Sequence, residues 1–276
     1  GFVRVDQLHR CVHLRHGESL SALGAHADLV AQRDDLLLEE ITLLNQTGNY
    51  EKAIRLIAHH QFHAWEGGEG KISGQYQFAR VELAKQLIPA GEYDRAIDLL
   101  NQCLTYPDNL GEGKLYGAQE NDFYYLMGVA YEQKGNIEKA IECWQEGTVG
   151  PTEPAPALYY NDAKPDKIFY AGLCYANLSE QGKANGLFYK LINFGKNQLF
   201  DEVRMDYFAV SLPDLQIWND SLQTKNTIHC KYMLALGNFG LGNRGKGIQF
   251  LDEVSQMDNN HLGVLALQTF ITHHLE

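Results

Sequence analysis

The chain has 276 residues, of which 45% are apolar, enough to build a packed interior. Its 23 Lys and Arg against 35 Asp and Glu give a formal charge of −12, which argues against nucleic acid or an anionic membrane surface as a partner, because both require clustered cations. The longest uncharged apolar stretches are much shorter than the ~20 residues that span a bilayer.

The first residue and the cysteines predict the origin of the chain and the chemical state of its thiols. The chain begins at Gly1 rather than Met and shows no basic-then-apolar leader, so we expect a processed or excised piece of a longer polypeptide, located in the cytoplasm. The cysteines lack the spacing of a metal or redox motif, so we expect reduced thiols in the core: Cys11, Cys103, Cys143, Cys174 and Cys230.

A seven-residue signature recurs along the chain. It occurs at residues 48–54 (GNYEKAI), 91–97 (GEYDRAI) and 135–141 (GNIEKAI), so its alanines are 43 and 44 residues apart. The glycine predicts the end of one helix, because it adopts a φ that other residues resist, and the pattern after it predicts a second, amphipathic helix. The small alanine lets the two helices approach closely.

The third copy indicates which side chains should meet. Gly128 and Ala130 lie where a neighbouring helix would press, and Ile141 and Trp144 supply the large residues of the second helix. Two weaker copies follow at residues 168–188, where Gly182 is expected as the signature glycine before Ala184, and at 233–260, with extra residues between the two copies.

These segments resemble tetratricopeptide repeats, helix-turn-helix units of about 34 residues with this small/large pattern. The resemblance implies an all-α fold, a right-handed α-solenoid of helix pairs with extended inter-repeat loops. We expect one domain, 1–276, in five parts: N-terminal helices at 1–33, four repeats with long joins at 34–194, an insertion at 195–226, a fifth repeat at 227–260 and a C-terminal helix at 261–276.

A narrower resemblance rests on three segments. Residues 62–71 (FHAWEGGEGK), 118–121 (AQEN) and 206–214 (DYFAVSLPD) are similar to the C-terminal repeat region of large bacterial proteins. Those proteins carry an uncharacterised N-terminal domain, and its proposed relation to carbohydrate-binding β-sandwiches makes a carbohydrate-associated role the implied alternative.

The joins between repeats are themselves repeated, which predicts a shared binding rim. Residues 69–74 and 112–117 both read Glu-Gly-Lys followed by Gly. Because stacked repeats keep their register, these joins should emerge on one edge of the solenoid. The join candidates for ligand or partner binding are Trp65, Glu66, Glu69, Lys71, Gln75, Glu112, Lys114, Gln119, Asn121, Tyr160, Asn161 and Asp162. Helical phase adds Asp122, Tyr125 and Phe169 as candidates on the concave face, with Glu132 and Asp166 at similar phases.

A structural interpretation of the same joins stays open. Glycine-rich joins can be turns, Trp65 can plug its loop, and Glu69 or Glu112 can cap a helix. The insertion, with a helix predicted at 201–210 and with Trp218, can brace the next repeat or extend the groove.

Three chemical alternatives carry less weight. The Gly-Lys pairs lack the upstream Gly and the following Ser or Thr of a phosphate-binding loop. The spacing of His59, His60 and His63 suits packing better than a metal site, since no Glu lies between the helical pair as a general base. Glycoside hydrolysis needs two suitably separated carboxylates, with Glu66, Glu69, Glu112, Glu120 and Asp162 as candidates.

The sequence therefore predicts a non-catalytic interaction module without cofactor or metal. Its expected partner is a protein or peptide, including other domains of its own polypeptide, and neither nucleic acid nor a membrane. A carbohydrate module is the first alternative and a carboxylate-based glycoside hydrolase the second.

Overall fold

The computed structural model describes residues 33–65, 68–156, 164–203 and 222–274, without the side chains of 273 and 274. In these ranges every regular element is a helix, which confirms the all-α fold. The predicted helices within 1–32, Cys11 and most of the predicted insertion, including Trp218, lie outside the described residues.

The helices follow one another in pairs joined by short turns, and longer joins connect successive pairs. They are α1 (Asp34–Gln46), α2 (Tyr50–Ala58), α3 (Lys71–Leu87), α4 (Tyr93–Cys103), α5 (Asn121–Gln133), α6 (Ile137–Glu146), α7 (Pro165–Asn177), α8 (Gln181–Gln198), α9 (Leu222–Gly240), α10 (Arg244–Met257) and α11 (Leu262–His274). A 3₁₀ turn, Asp108–Leu110, lies in the join before α5. The long helices α8 and α9 extend into residues 195–226 from both sides.

The turns inside the pairs use the left-handed backbone that the signature predicts. Gly48, Gly91, Gly135 and Gly242 have φ of 76°, 81°, 86° and 75°. In the fourth pair this position is held by Ser179, whose φ is 63°, and not by Gly182. Gly182 lies inside α8, so the fourth repeat keeps the turn without keeping the turn glycine.

Small residues let the two helices of each pair approach, as predicted. The signature alanines are fully buried: Ala53, Ala96, Ala140 and Ala184. A Cβ on Gly128 would lie 2.2 Å from Nε1 of Trp144, so the indole occupies the place of a side chain there. Ile141 was expected in the same contact, and this was wrong: it is 39% exposed. Trp144 alone fills the space against Gly128.

The pairs stack in register to form a solenoid of helix pairs. The first helices contact one another in the order α1, α3, α5, α7 and α9, and each second helix packs between its own first helix and the next one. One continuous apolar core runs through the stack. Because a single pair cannot bury both of its faces, each pair depends on its neighbours for stability.

The cysteines behave as the sequence indicates for core thiols. Within the described ranges they are free, and Cys103, Cys174 and Cys230 are buried while Cys143 is half-buried. Burial raises the pKa of Cys103 to about 12 and that of Cys143 to about 11, so neither is a reactive thiolate near neutral pH. None of the described helices combines the length and apolarity that crossing a membrane requires.

The Ser179 turn generates a stability prediction. A non-glycine residue in left-handed backbone carries strain, so we expect Ser179→Gly to raise the free energy of unfolding by about 1 kcal/mol, after allowing for the greater freedom of glycine in the unfolded chain. The reciprocal change Gly135→Ser, at the equivalent turn of the third pair, should lower it by a similar amount. Urea unfolding followed by circular dichroism measures both changes in the free energy of unfolding. Changes of the same sign in the two variants would contradict the proposal that Ser179 holds a strained turn.

Candidate functional site

The first two joins, which we call join 1 (residues 59–70) and join 2 (residues 104–120), lie side by side. The backbone N–H of Phe62 donates to the carbonyl of Asn109 at 2.8 Å. The side-chain amide of Asn109 donates back to the carbonyls of Ile57 at 2.7 Å and His60 at 2.9 Å. Join 2 therefore satisfies backbone groups at the end of α2, and the two joins share one edge of the solenoid.

Glu112 of join 2 caps the helix that follows join 1. Its two carboxylate oxygens accept hydrogen bonds from the backbone N–H groups of Gly70 at 2.8 Å and Ser73 at 2.9 Å. The first N–H groups of a helix have no partner inside the helix, and a carboxylate also interacts favourably with the dipole there. The cap of α3 is thus supplied by the neighbouring repeat.

Trp65 packs inside its own join. A Cβ on Gly68 would lie 2.1 Å from the indole ring, so the ring covers this glycine, and the half-buried side chain rests against the apolar core. A residue larger than glycine at position 68 would push the ring away.

The joins and the first helices together enclose one groove, with a volume of about 1260 Å³. Residues of α1, α3, α5, α7 and α9 form its floor, joins 1 and 2 form one rim, and α11 forms part of the opposite wall. We call this surface the concave groove. Its lining draws on all five first helices, and α11 fills the part of the concave surface that lies over Tyr125 of α5 and Tyr170 of α7.

Charged and aromatic groups lie close together where α5 and α7 line the concave groove, and Tyr232 of α9 reaches Asp166 from outside the lining. Lys167 forms a half-buried ion pair with Asp122, and its ammonium lies 4.4 Å from the centre of the Phe123 ring. The Tyr232 hydroxyl donates to the carboxylate of Asp166. Burial, assisted by the negative charge of Asp166, raises the pKa of Tyr232 well above its usual value, so this hydroxyl keeps its proton.

The structure brings only part of the predicted site together. The predicted residues that line the concave groove are Glu69, Lys71, Gln75, Glu112, Gln119, Asp122 and Phe169. Those outside its lining are Trp65, Lys114, Asn121 and Tyr125. Those that lie outside the described residues are Glu66, Tyr160, Asn161 and Asp162.

Several of these predicted side chains stabilise the solenoid itself. The amide of buried Asn121 donates to the carbonyls of Gly147 and Val149, both at 2.9 Å, and so satisfies the end of α6. Lys114 pairs with Glu120 inside join 2. Tyr125 and Phe169 are buried, and the ring of Phe270 in α11 packs against both, so neither is accessible to a ligand while α11 is in place.

Sequence reasoning missed two side chains on the groove rim. Leu115 and Tyr116 of join 2 line the groove and are 54% and 107% exposed. The available signal was their position inside the second Glu-Gly-Lys copy, where an apolar and an aromatic residue follow the lysine. They are the most exposed apolar groups of the groove.

The histidines at the end of α2 pair with a carboxylate. His60 Nε2 lies 2.6 Å from Asp34 Oδ1, and Asp34 Oδ2 accepts from the backbone N–H of His63 at 2.8 Å. Burial of Asp34 opposes its ionisation, but these hydrogen bonds outweigh it and lower the pKa of the carboxyl. Where side chains are described, no three His, Cys, Asp or Glu residues converge as a metal site.

Comparison with known proteins agrees with this architecture. Residues 122–147 match the family model described as tetratricopeptide repeat, a segment that covers most of α5 and α6. No solved structure matches the chain. The fold is a helix-pair solenoid in which residues 122–147 are similar to a tetratricopeptide repeat. Such repeats generally mediate protein–protein interaction or scaffolding and are typically non-enzymatic.

The cap on α3 allows a matched test within the repeat. Glu112→Ala leaves the N–H groups of Gly70 and Ser73 without a partner, so we expect the free energy of unfolding to fall by about 1–2 kcal/mol. Glu69 is at the equivalent place in join 1 and is exposed. Glu69→Ala should therefore change the free energy of unfolding by less than about 0.5 kcal/mol. Thermal and urea unfolding of both variants compare the two values, and equal losses would show that Glu112 is no cap.

Proposed function

We propose that this chain is a non-catalytic interaction module that binds a partner protein or peptide in the concave groove, with join 2 as part of the contact surface. Other domains of a longer polypeptide containing this chain are included among such partners. The proposal assigns the general role of tetratricopeptide repeats, which is protein interaction, to the concave groove of this chain.

The observation that carries the proposal is the exposed pair Leu115 and Tyr116 on the rim of a long groove. Exposed apolar and aromatic side chains beside a preformed concavity are typical anchors of protein interfaces. The frame around them is already ordered by the Glu112 cap and by the bonds of Asn109, so little conformational entropy is lost on binding.

The length of the groove favours a peptide over a sugar. A sugar site would be compact, with an aromatic floor and several convergent amides, whereas this groove follows five first helices. The carbohydrate alternative also relied on Trp65 as a stacking platform, and its ring lies against Gly68.

Two of the carboxylates considered for glycoside hydrolysis have other partners. Glu112 accepts from backbone N–H groups of α3, and Glu120 pairs with Lys114. A retaining or inverting hydrolase needs two opposed carboxyl groups, one of them available as an acid. These contacts support a non-catalytic role.

The test compares two exposed tyrosines. Peptides selected from a random library for binding to the chain should bind Tyr116→Ser at least about tenfold more weakly, because an exposed aromatic anchor at an interface contributes about 1.4 kcal/mol or more. Tyr189→Ser is the control, since Tyr189 is also exposed but lies on α8, away from the groove lining. Fluorescence anisotropy measures both affinities.

Two results would contradict the proposal. Equal affinity for the Tyr116 and Tyr189 variants would remove the groove rim from the interface. Binding of oligosaccharides on a glycan array, together with failure of the peptide selection, would favour the carbohydrate alternative.

A further inference from the structure

The C-terminal helix α11 lies in the concave groove and does not simply extend the stack. Its backbone contacts are more extensive with α3 of the second pair than with the preceding helix α10. The ammonium of Lys85 on α3 donates to the carbonyl of Ala266 at 3.1 Å, across 181 residues of sequence. On the other side, the Tyr232 hydroxyl oxygen lies 3.0 Å from the carbonyl oxygen of Gly263, while its one proton is donated to Asp166.

One face of α11 is apolar and is buried against the first helices. Val264, Leu267 and Phe270, each three residues apart, are 3%, 3% and 0% exposed. The Phe270 ring meets the rings of Tyr125 and Tyr170 edge-on, with centroids 5.9 and 5.5 Å apart. The floor beneath α11 is therefore an aromatic socket built by α5 and α7.

The surface that α11 covers on α3 also carries an ion pair. Glu82 Oε1 accepts from Lys85 Nζ at 2.6 Å, and both side chains are at most 2% exposed. The other carboxylate oxygen, Glu82 Oε2, is buried and accepts no geometrically good hydrogen bond among the described residues. The Thr269 hydroxyl of α11 donates to the carbonyl of Leu265 and lies close enough to Glu82 to lower the pKa of its carboxyl slightly. Burial raises the pKa of Glu82, although Lys85 opposes this effect.

Burying such a pair is unfavourable, because the desolvation of two charges offsets much of their attraction. Helix α11 offers this pair only neutral partners, the carbonyl of Ala266 and the side chain of Thr269, because residues 262–274 contain no Asp, Glu, Lys or Arg. When α11 is absent from the groove, water can hydrate both charges and the second oxygen of Glu82. The covered face of α3 is thus suited to exposure as well as to burial.

We propose that α11 is a resident ligand of the concave groove and that a partner's uncharged helix, with apolar residues at i, i+3 and i+6, binds the same socket by displacing it. This inference rests on the proposed function and names the class of partner and the regulation of that site. The socket accepts such a helix because α11 already presents this pattern to it.

The connection between α10 and α11 permits displacement. Helix α10 ends at Met257, and Asp258 after it is extended, with φ −143° and ψ 99°. Because α11 makes few contacts with α10, it can leave the groove while the fifth pair stays folded. A tethered helix competes with a free one at high effective concentration, so the intact chain binds a partner more weakly than its socket would alone.

The experiment uses a fluorescent peptide with the sequence of residues 258–276 and the full chain. Phe270→Ala removes the ring that fills the socket. Gly263→Ala places a Cβ 2.7 Å from the buried Tyr232 ring. Both substitutions weaken the resident helix, so we expect each chain to bind the wild-type peptide at least tenfold more tightly than the unmodified chain does.

Two controls accompany the measurement. Gly245→Ala adds the same methyl group to a glycine of α10 with open space around it, and it should leave peptide affinity unchanged. The peptide carrying Phe270→Ala should bind no chain measurably. Hydrogen exchange of the unmodified protein should show the α11 amides exchanging at least tenfold faster than those of α9.

Equal peptide affinity in the unmodified and Gly263→Ala chains, or exchange of α11 as slow as that of α9, would overturn the inference even if Phe270→Ala failed to fold. If this occurred while Tyr116-dependent binding of selected peptides persisted, only the displacement mechanism would be lost. If Tyr116-dependent binding of the selected peptides were absent as well, the proposed function would also be overturned.

Discussion

The whole structure depends on one constraint: a helix pair of this kind cannot bury its apolar faces alone and must place them against the next pair. The contact is close because alanine or glycine stands opposite a large side chain, as Gly128 does opposite Trp144. Stacking in register then aligns the first helices in one row and places joins 1 and 2 on one edge. The concave groove is a geometric consequence of this stacking.

Stability and binding surface are closely linked in this architecture. Two of the polar residues that look most ligand-like in sequence satisfy helix ends, as Glu112 does for α3 and Asn121 does for α6. Such bonds fix the rim, since a buried backbone group without a partner would cost about 1–3 kcal/mol. The fixed rim then presents the exposed Leu115 and Tyr116 next to the polar residues that line the groove.

Two opposed free-energy terms act when the C-terminal helix α11 docks in the concave groove. An all-apolar helix face placed over aromatic rings is strongly favoured, whereas the Glu82 and Lys85 pair beneath it opposes burial. The burial of this ion pair makes the net free energy of docking smaller than the apolar contacts alone would give. That reduction favours competition by a partner helix for the same place, as proposed above.

The amino-acid sequence by itself determined the all-α fold, the positions of the glycine turns in the first three pairs and the small residues of the helix contacts, because these depend on neighbours within one pair and recur every 43 or 44 residues. It also indicated that the joins share an edge. Only the tertiary structure decided which join residues cap helices, that Ser179 replaces a turn glycine, and that Leu115 and Tyr116 stand exposed on the groove rim. It alone decided that α11 returns to the second pair, because the Lys85 to Ala266 contact joins residues 181 positions apart, and no local pattern encodes a contact at that separation.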